Sequence, residues 1–387
     1  MPNAKKCALL LVSVVVVAAC ADRSTDAAKD DGTSAGSDGS DGGSDGGSDG
    51  GSDGGSDGGS DGGSDGGSDG GDPVFVSLAG GTFEMGVAST SVAGADPSSA
   101  PVHTVTLSGF ELSETEVTNA SYVDFLNVAL DDGQIVVDDV TEMWPDGSTV
   151  THPWVFGSSA SPWPDAALIQ LSDSGGVSSA GDVEHADNRS WIDYDASSGF
   201  ALVDDEKADW PVTWVKWYGA QAYADHNGWS LPTEAQWEYA ATCTASGDHD
   251  AEFATGSGTA ADDEANWNGD TPNQANHEGH VVAVRSYAPN GCGLYEMSGN
   301  AWEWVQDWYG GAPFYTATDG ETDPVNTDGS DPETAMGAAV WEEGVPSTVR
   351  VRRGGSWNYH TATITSWGRA FDFPQRGNNH FGFRVAR

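Results

Sequence analysis

The chain is 387 residues long and carries 60 acidic against 15 basic side chains, a formal net charge of −45. A surface so acidic repels phosphate backbones and anionic headgroups, which excludes nucleic-acid binding and favours divalent cations or polar partners. Residues 33–72 are almost wholly Gly, Ser and Asp; they hold too little apolar surface to offset chain entropy, so the folded part is shorter than the chain.

In chain order, Lys5 and Lys6 precede the apolar run "CALLLVSVVVVAAC", which is too short for a comfortable membrane span and has the layout of a secretory signal. Its end, Val17-Ala18-Ala19-Cys20, resembles a bacterial lipobox, in which Cys20 is lipidated and becomes the mature N-terminus. Plain signal cleavage after Ala19 or Ala21 is the alternative. The expected organisation is a signal peptide over 1–19, a lipidated N-terminus and stalk over 20–72, and one domain over 73–387, where no composition break marks a second. The "SDGG" repeats make a flexible, charge-extended leash spanning roughly 35 Å or more. They lack the apolar residue per turn that a calcium-binding β-roll needs. This places the protein in a bacterial cell envelope, anchored by lipid at the outer membrane or cell surface, or secreted.

The domain opens with "PVFVSLAGGTFEMG", whose alternation around Gly80-Gly81 predicts a β-hairpin, and "PVHTVTLSGFELSETEVT" supplies two more strands. Thr118 is placed to cap a helix from Asn119 that buries Tyr122, Phe125 and Leu126. From Asp131 to Asp209 the chain reads as irregular, with strand-like pieces at "ALIQL" and "WIDYD". Ala220, Tyr223 and Ala224 then mark a helix closed by Gly228, and Thr233 with Gln236 forms a capping box for the next. Beyond it lie loops and short strands, an α+β composition low in regular structure. Most of the 16 tryptophans belong to the core; those in "MWPDGSTVTHPWVFGSSASPWP" could instead line a sugar or peptide groove.

Cys7 falls in the signal and Cys20 in the lipobox, leaving Cys243 and Cys292 in the domain. In an exported, oxidising compartment this pair reads as a disulfide, with two buried free thiols the alternative. His277 and His280 flank Glu278 in "NHEGHV", but the third and fourth zinc ligands are lacking, so a solvated loop is the better reading.

The ordered motifs "TFEMG", "HTVTLSGFELSETEVTNASYVDFLN", "PVTWVKWYGAQAYADHNGWSLPTEAQWEYAA", "PNGCGLYEMSGNAWEWVQDWY", "RRGGSW" and "FGFRVAR" resemble the formylglycine-generating enzyme, or sulfatase-modifying factor, family. The resemblance covers about Val74 to Arg387. It implies a single α+β domain of modified C-type-lectin-like fold stabilised by calcium. Its best-known members oxidise a sulfatase cysteine to formylglycine with copper and oxygen at two cysteines following the Gly-Gly-Ser-aromatic motif. Here Gly354, Gly355, Ser356 and Trp357 match that motif, but Tyr359 and Ile364 stand at the thiol positions. Neither offers a soft sulfur ligand, which argues against copper and leaves iron open. His360 and Ser356 match pocket residues of the enzymes, and Trp367 follows in the same degenerate pocket.

The resemblance also implies structural calcium at Glu296, the carbonyls of Gly299 and Ala301, and Glu303; from spacing alone these would be two carboxylates beside a turn. A second calcium site would use Asn266, the Trp267 carbonyl and Asn276. The expectation is an exported binding or scaffolding module with an unidentified protein, peptide or glycan partner. Two alternatives stand beside it: a cysteine-independent oxidoreductase with a redox metal near Tyr359, His360 and Trp367, and a lectin-like ligand binder.

Overall fold

In a computed structural model the described residues are 73–87, 97–143, 149–172, 190–261, 263–267, 279–329 and 348–387. All lie in the second of the two units, Met1–Gly67 and Ser68–Arg387, into which the chain divides. The signal, Cys20, the stalk, Asn276, His277 and Glu278 lie outside them.

β1 (Phe75–Leu78) and β2 (Gly81–Met85) are strands as the alternation predicts, but they do not pair across Gly80-Gly81. β2 pairs antiparallel with β3 (His103–Leu107), and β1 with β4 (Phe110–Ser113). The glycine turn is packed onto the β3–β4 connection: Gly80 has φ 71°, and a Cβ there would run into the main chain of Leu107 and Ser108. Local pattern makes a strand, and the long-range packing chooses its partner.

α1 (Asn119–Asp131) begins where Thr118 accepts the Ser121 N–H, and it buries Tyr122, Phe125 and Leu126 as expected. The following stretch is more ordered than its composition suggests. β5 (Ile135–Met143), β6 (Thr149–Gly157) and β7 (Ala167–Gln170) form an antiparallel meander of which only β7 is legible in the sequence. Asp138, Asp139 and Pro153 disguise the two long strands, because these residue types are depleted in sheets. β8 (Ile192–Asp195) and β9 (Gly199–Leu202) form a hairpin held to α1 by Asn127, which exchanges two hydrogen bonds with Phe200.

α2 (Trp217–Asn227) ends at Gly228, φ 73°, and α3 (Glu234–Ala241) carries the complete Thr233–Gln236 capping box. Just past α3, Cys243 is disulfide-bonded to Cys292. β10 (Trp302–Trp308), the short α4 (Gly311–Ala317) and β11 (Glu321–Thr322) follow. β12 (Arg350–Arg353), β13 (Arg369–Asp372) and β14 (Phe381–Phe383) join β10 in a four-stranded sheet of order β13-β12-β10-β14, with β14 parallel to β10. One apolar cluster gathers α1, α2 and the aromatic side chains of β10 and β14; another gathers α3, β2, β3 and β12. Buried ion pairs join α3 to the sheet, Glu234 meeting Arg353 and Arg369 while Glu238 meets Arg353. The expected α+β architecture, low in regular structure, is present.

Candidate functional site

Arg353 ends β12 and is fixed by the α3 carboxylates, so the chain enters the Gly354-Gly355 turn from a rigid point. Both glycines have positive φ, 92° and 72°, and a Cβ on Gly355 would stand 2.6 Å from Ile364 Cγ2. The turn therefore requires glycine for conformation and for room. Ser356 is fully buried and donates to Asn358 Oδ1 at 2.9 Å.

Tyr359 sits edge-on to Trp302, with centroids 5.2 Å apart, and against His380 at 5.6 Å. The nearby Arg352 guanidinium is buried over the Phe381 ring at 3.8 Å, and burial disfavours its charge. Burial, followed by the charge of Arg352, holds His380 well below the usual imidazole range, so it is neutral. Ile364 has no exposed surface and lies in a separate apolar cluster with Phe253, Ala265 and Trp267. The positions that the resemblance gives to a thiol pair thus belong to two different parts of the core. His360 is exposed, and the Trp367 carbonyl accepts from Arg353 at 3.3 Å.

The 296–303 turn lies directly under this segment. Gly299 N donates to the Gly354 carbonyl at 2.8 Å, Trp357 N to the Asn300 carbonyl at 3.0 Å, and Ser298 Oγ to the Ile364 carbonyl at 2.8 Å. Glu296 and Asn300 both adopt left-handed backbone, φ 48° and 60°. The Glu296 carboxylate accepts the Arg285 and Tyr287 N–H groups at 2.9 and 3.1 Å, while burial pushes its carboxyl upward. Glu303 is fully buried; Arg384 grips both its oxygens, at 2.6 and 2.8 Å, and Trp237 Nε1 adds a third hydrogen bond at 2.7 Å. Among the described residues, no three His, Cys, Asp or Glu side chains converge as a metal-holding group.

Asn266 is buried beside the same turn: its Nδ2 reaches the His280 carbonyl and Asn300 Oδ1, its carbonyl accepts Asn300 N, and its Oδ1 accepts from nothing. An orphaned buried amide oxygen is the kind of acceptor a cation satisfies. Trp267 next to it packs on Ile364, so the second expected cation site and the 354–368 segment share one cluster.

Two residues of this region are not legible in the sequence. Glu116, just ahead of α1, is buried with Oε2 unpartnered, and Asn300 donates to its Oε1 at 3.0 Å. Arg384 lies in the quoted "FGFRVAR", but its role as counter-ion to Glu303 appears only when β14 is laid beside β10.

Comparison with known proteins agrees with these motifs. The family model described as the sulfatase-modifying factor enzyme 1-like domain matches residues 69–387. The formylglycine-generating enzyme of Streptomyces coelicolor is 32% identical over 320 residues, covering 80% of this chain and 88% of that enzyme. The enzyme of Thermomonospora curvata is 29% identical over 326 residues, covering 80% and 92%. Among solved structures, PvdO from Pseudomonas aeruginosa aligns over 81% of this chain and 94% of its own at 19% identity, with a TM-score of 0.47. With the family match spanning the whole domain and a relative above 30% identity, the chain belongs to the sulfatase-modifying factor family, whose modified C-type-lectin-like fold it shares.

Proposed function

We propose that this protein is an exported, lipid-anchored member of the family that does not make formylglycine by cysteine and copper chemistry and instead binds or scaffolds a partner. The observation that carries this reading is the fate of the two thiol positions. Tyr359 is packed on Trp302 and His380, and Ile364 is sealed in a different apolar cluster. A phenol and an aliphatic side chain so placed supply no thiolate pair for monovalent copper. Cys243 and Cys292 form the disulfide and do not replace them. The test is incubation of the protein with copper, oxygen and a sulfatase-motif peptide. No aldehyde is expected, and a formylglycine product would overturn the proposal.

Export and anchoring rest on the signal layout and Cys20. Labelling with a fatty-acid probe should mark the wild type and spare Cys20→Ser, which should be released from membranes. Calcium is proposed as the structural cofactor, held at the 296–303 turn and at Asn266 with the Trp267 carbonyl. The orphaned Asn266 Oδ1 supports it, as do the carbonyls of Gly299 and Ala301, on which no hydrogen bond among the described residues ends. Because the turn bonds directly to residues 354, 357 and 364, an ion there would also fix the segment that carries Tyr359.

A further inference from the structure

In a chain of net charge −45, one buried cluster consists of hydrogen-bond donors that lack acceptors. Arg352 is 5% exposed, and its Nε and Nη1 have no hydrogen-bond partner among the described residues. Its remaining nitrogen, Nη2, makes only long contacts, 3.4 Å to Asp372 Oδ2 and 3.5 Å to the Phe371 carbonyl. The Trp302 ring, centred 5.2 Å from the guanidinium carbon, is 1% exposed, and its Nε1–H is unpartnered too. Neither guanidinium nor indole nitrogen accepts a hydrogen bond, so the two cannot satisfy each other. Buried donors in this state cost free energy until an acceptor is supplied.

The charges around the cluster point the same way. Asp372 faces two guanidiniums, Arg352 at 3.4 Å and Arg376 at 3.5 Å, so one carboxylate is shared between two cations. The Lys216 ammonium lies against the next residue of that loop, Gly377, where a Cβ would stand 2.9 Å from Nζ, and over the Trp154 ring at 4.2 Å. Aromatic rings make the walls: the Arg352 guanidinium carbon is 3.8 Å from the centre of Phe381 and 5.8 Å from that of Trp304. Such faces attract a cation but are poor acceptors for its N–H groups. Tyr359, Asp372, Arg376 and Gly377 are partly exposed, so the cluster borders solvent.

We infer that Arg352 and Trp302 form the seat of a ligand carboxylate that enters between Tyr359 and Gly377, with Arg376 and Lys216 adding favourable field. An oxyanion answers both deficits at once, since it accepts several N–H groups and balances the cation that Asp372 leaves over. A singly charged carboxylate suits the site better than phosphate, because the rest of this acidic chain repels polyanions. The inference rests on the binding reading above, in that the carboxylate belongs to whatever the protein binds: a free organic acid or an acidic residue of a peptide. A buried water accepting from both donors is the competing account.

The test titrates the full chain calorimetrically with acetate, with succinate, and with a short glutamate-containing peptide beside its glutamine counterpart, at an ionic strength held constant with sodium chloride. Saturable binding of at least one carboxylate is expected, with the glutamine peptide silent. Arg352→Met should weaken it at least about tenfold, and Trp302→Phe, which removes the indole N–H, about fivefold. Arg376→Met, on the rim, should weaken it less, and by an amount that shrinks as salt is raised. Where Arg352→Met does not fold, the other two variants decide. Binding of the free acids alone makes the ligand a small organic acid, and binding of the glutamate peptide alone puts the carboxylate on a polypeptide; both support the site. No saturable carboxylate binding by wild type, equal binding of the two peptides with none of the acids, or wild-type affinity in the variants would overturn the inference and leave the water. A formylglycine product in the assay above would instead overturn the reading on which it rests, so the two failures are distinguishable.

Discussion

Ile364 measures how far a thiol position has been absorbed into the core. Its side chain has no exposed surface and touches both Trp267 and the turn at Gly355, so it fills volume that a reactive residue would have to leave open. Ile364→Ala should therefore cost about 2–5 kcal/mol in denaturant unfolding, the usual range for truncating a fully buried aliphatic side chain. A cost under about 0.5 kcal/mol would mean the position behaves as surface. Tyr359 differs, being only partly buried, with its ring edge-on against Trp302 and beside His380. The replacement itself was legible, because the Gly-Gly-Ser-Trp motif counts out both positions in the sequence. That the two lie in separate clusters was not, because Phe253 and Trp267 are about a hundred residues upstream.

At the scale of elements, what the sequence revealed was local chemistry and what it hid was partnership. The caps at Thr118, Thr233 and Gly228 could be placed because each is decided within a few residues. Strand pairing of β1 and β2 and the approach of Glu116 to the 296–303 turn depend on segments far apart in the chain, whereas β5 and β6 pair with each other and are hidden by Asp138, Asp139 and Pro153. β10 is a further case: Asp307 on this strand is buried and accepts the N–H groups of Glu234 and Asn326, at 2.7 and 2.8 Å. Burial first, then the charge of Glu234, pushes its carboxyl up to about 7 from 3.8, against the pull of those two N–H groups and Arg350. His103 and Tyr315 line the same small cavity. A carboxyl with a raised folded-state pKa binds its proton more tightly in the native protein. Its contribution to stability is therefore complete below about pH 4 and is lost as pH rises through about 7. Asp307→Asn should flatten this part of the stability profile, measured by denaturant unfolding between pH 4 and 8. An unchanged slope in the variant would show that other groups set it. Glu234, held down by Arg369 and Arg353 against its burial, acts in the opposite sense at lower pH.

For the molecule as a whole, the net charge of −45 sets a repulsion that individual ion pairs do not cancel. The strongest pairs, such as Arg384–Glu303 and Arg353–Glu238, are buried and feel added salt little. Exposed pairs such as Arg387–Glu111 contribute little in any case. Exposed acids among the described residues, such as Asp131, Asp138 and Glu321, interact through solvent, where screening is effective. Raising sodium chloride from about 0.01 to 0.15 M shortens the Debye length from about 30 to 8 Å. With a chelator present, this should raise the melting temperature, contrary to the behaviour of a protein held together by surface salt bridges. Calcium well below a millimolar changes ionic strength negligibly, so any further rise it causes at constant salt is site binding by mass action. Magnesium at the same concentration should give a smaller rise, since it demands a tighter octahedral shell than a turn of carbonyls and carboxylates provides. If magnesium and calcium raise the melt equally, the divalent effect is screening of the acidic surface and no specific site need be invoked.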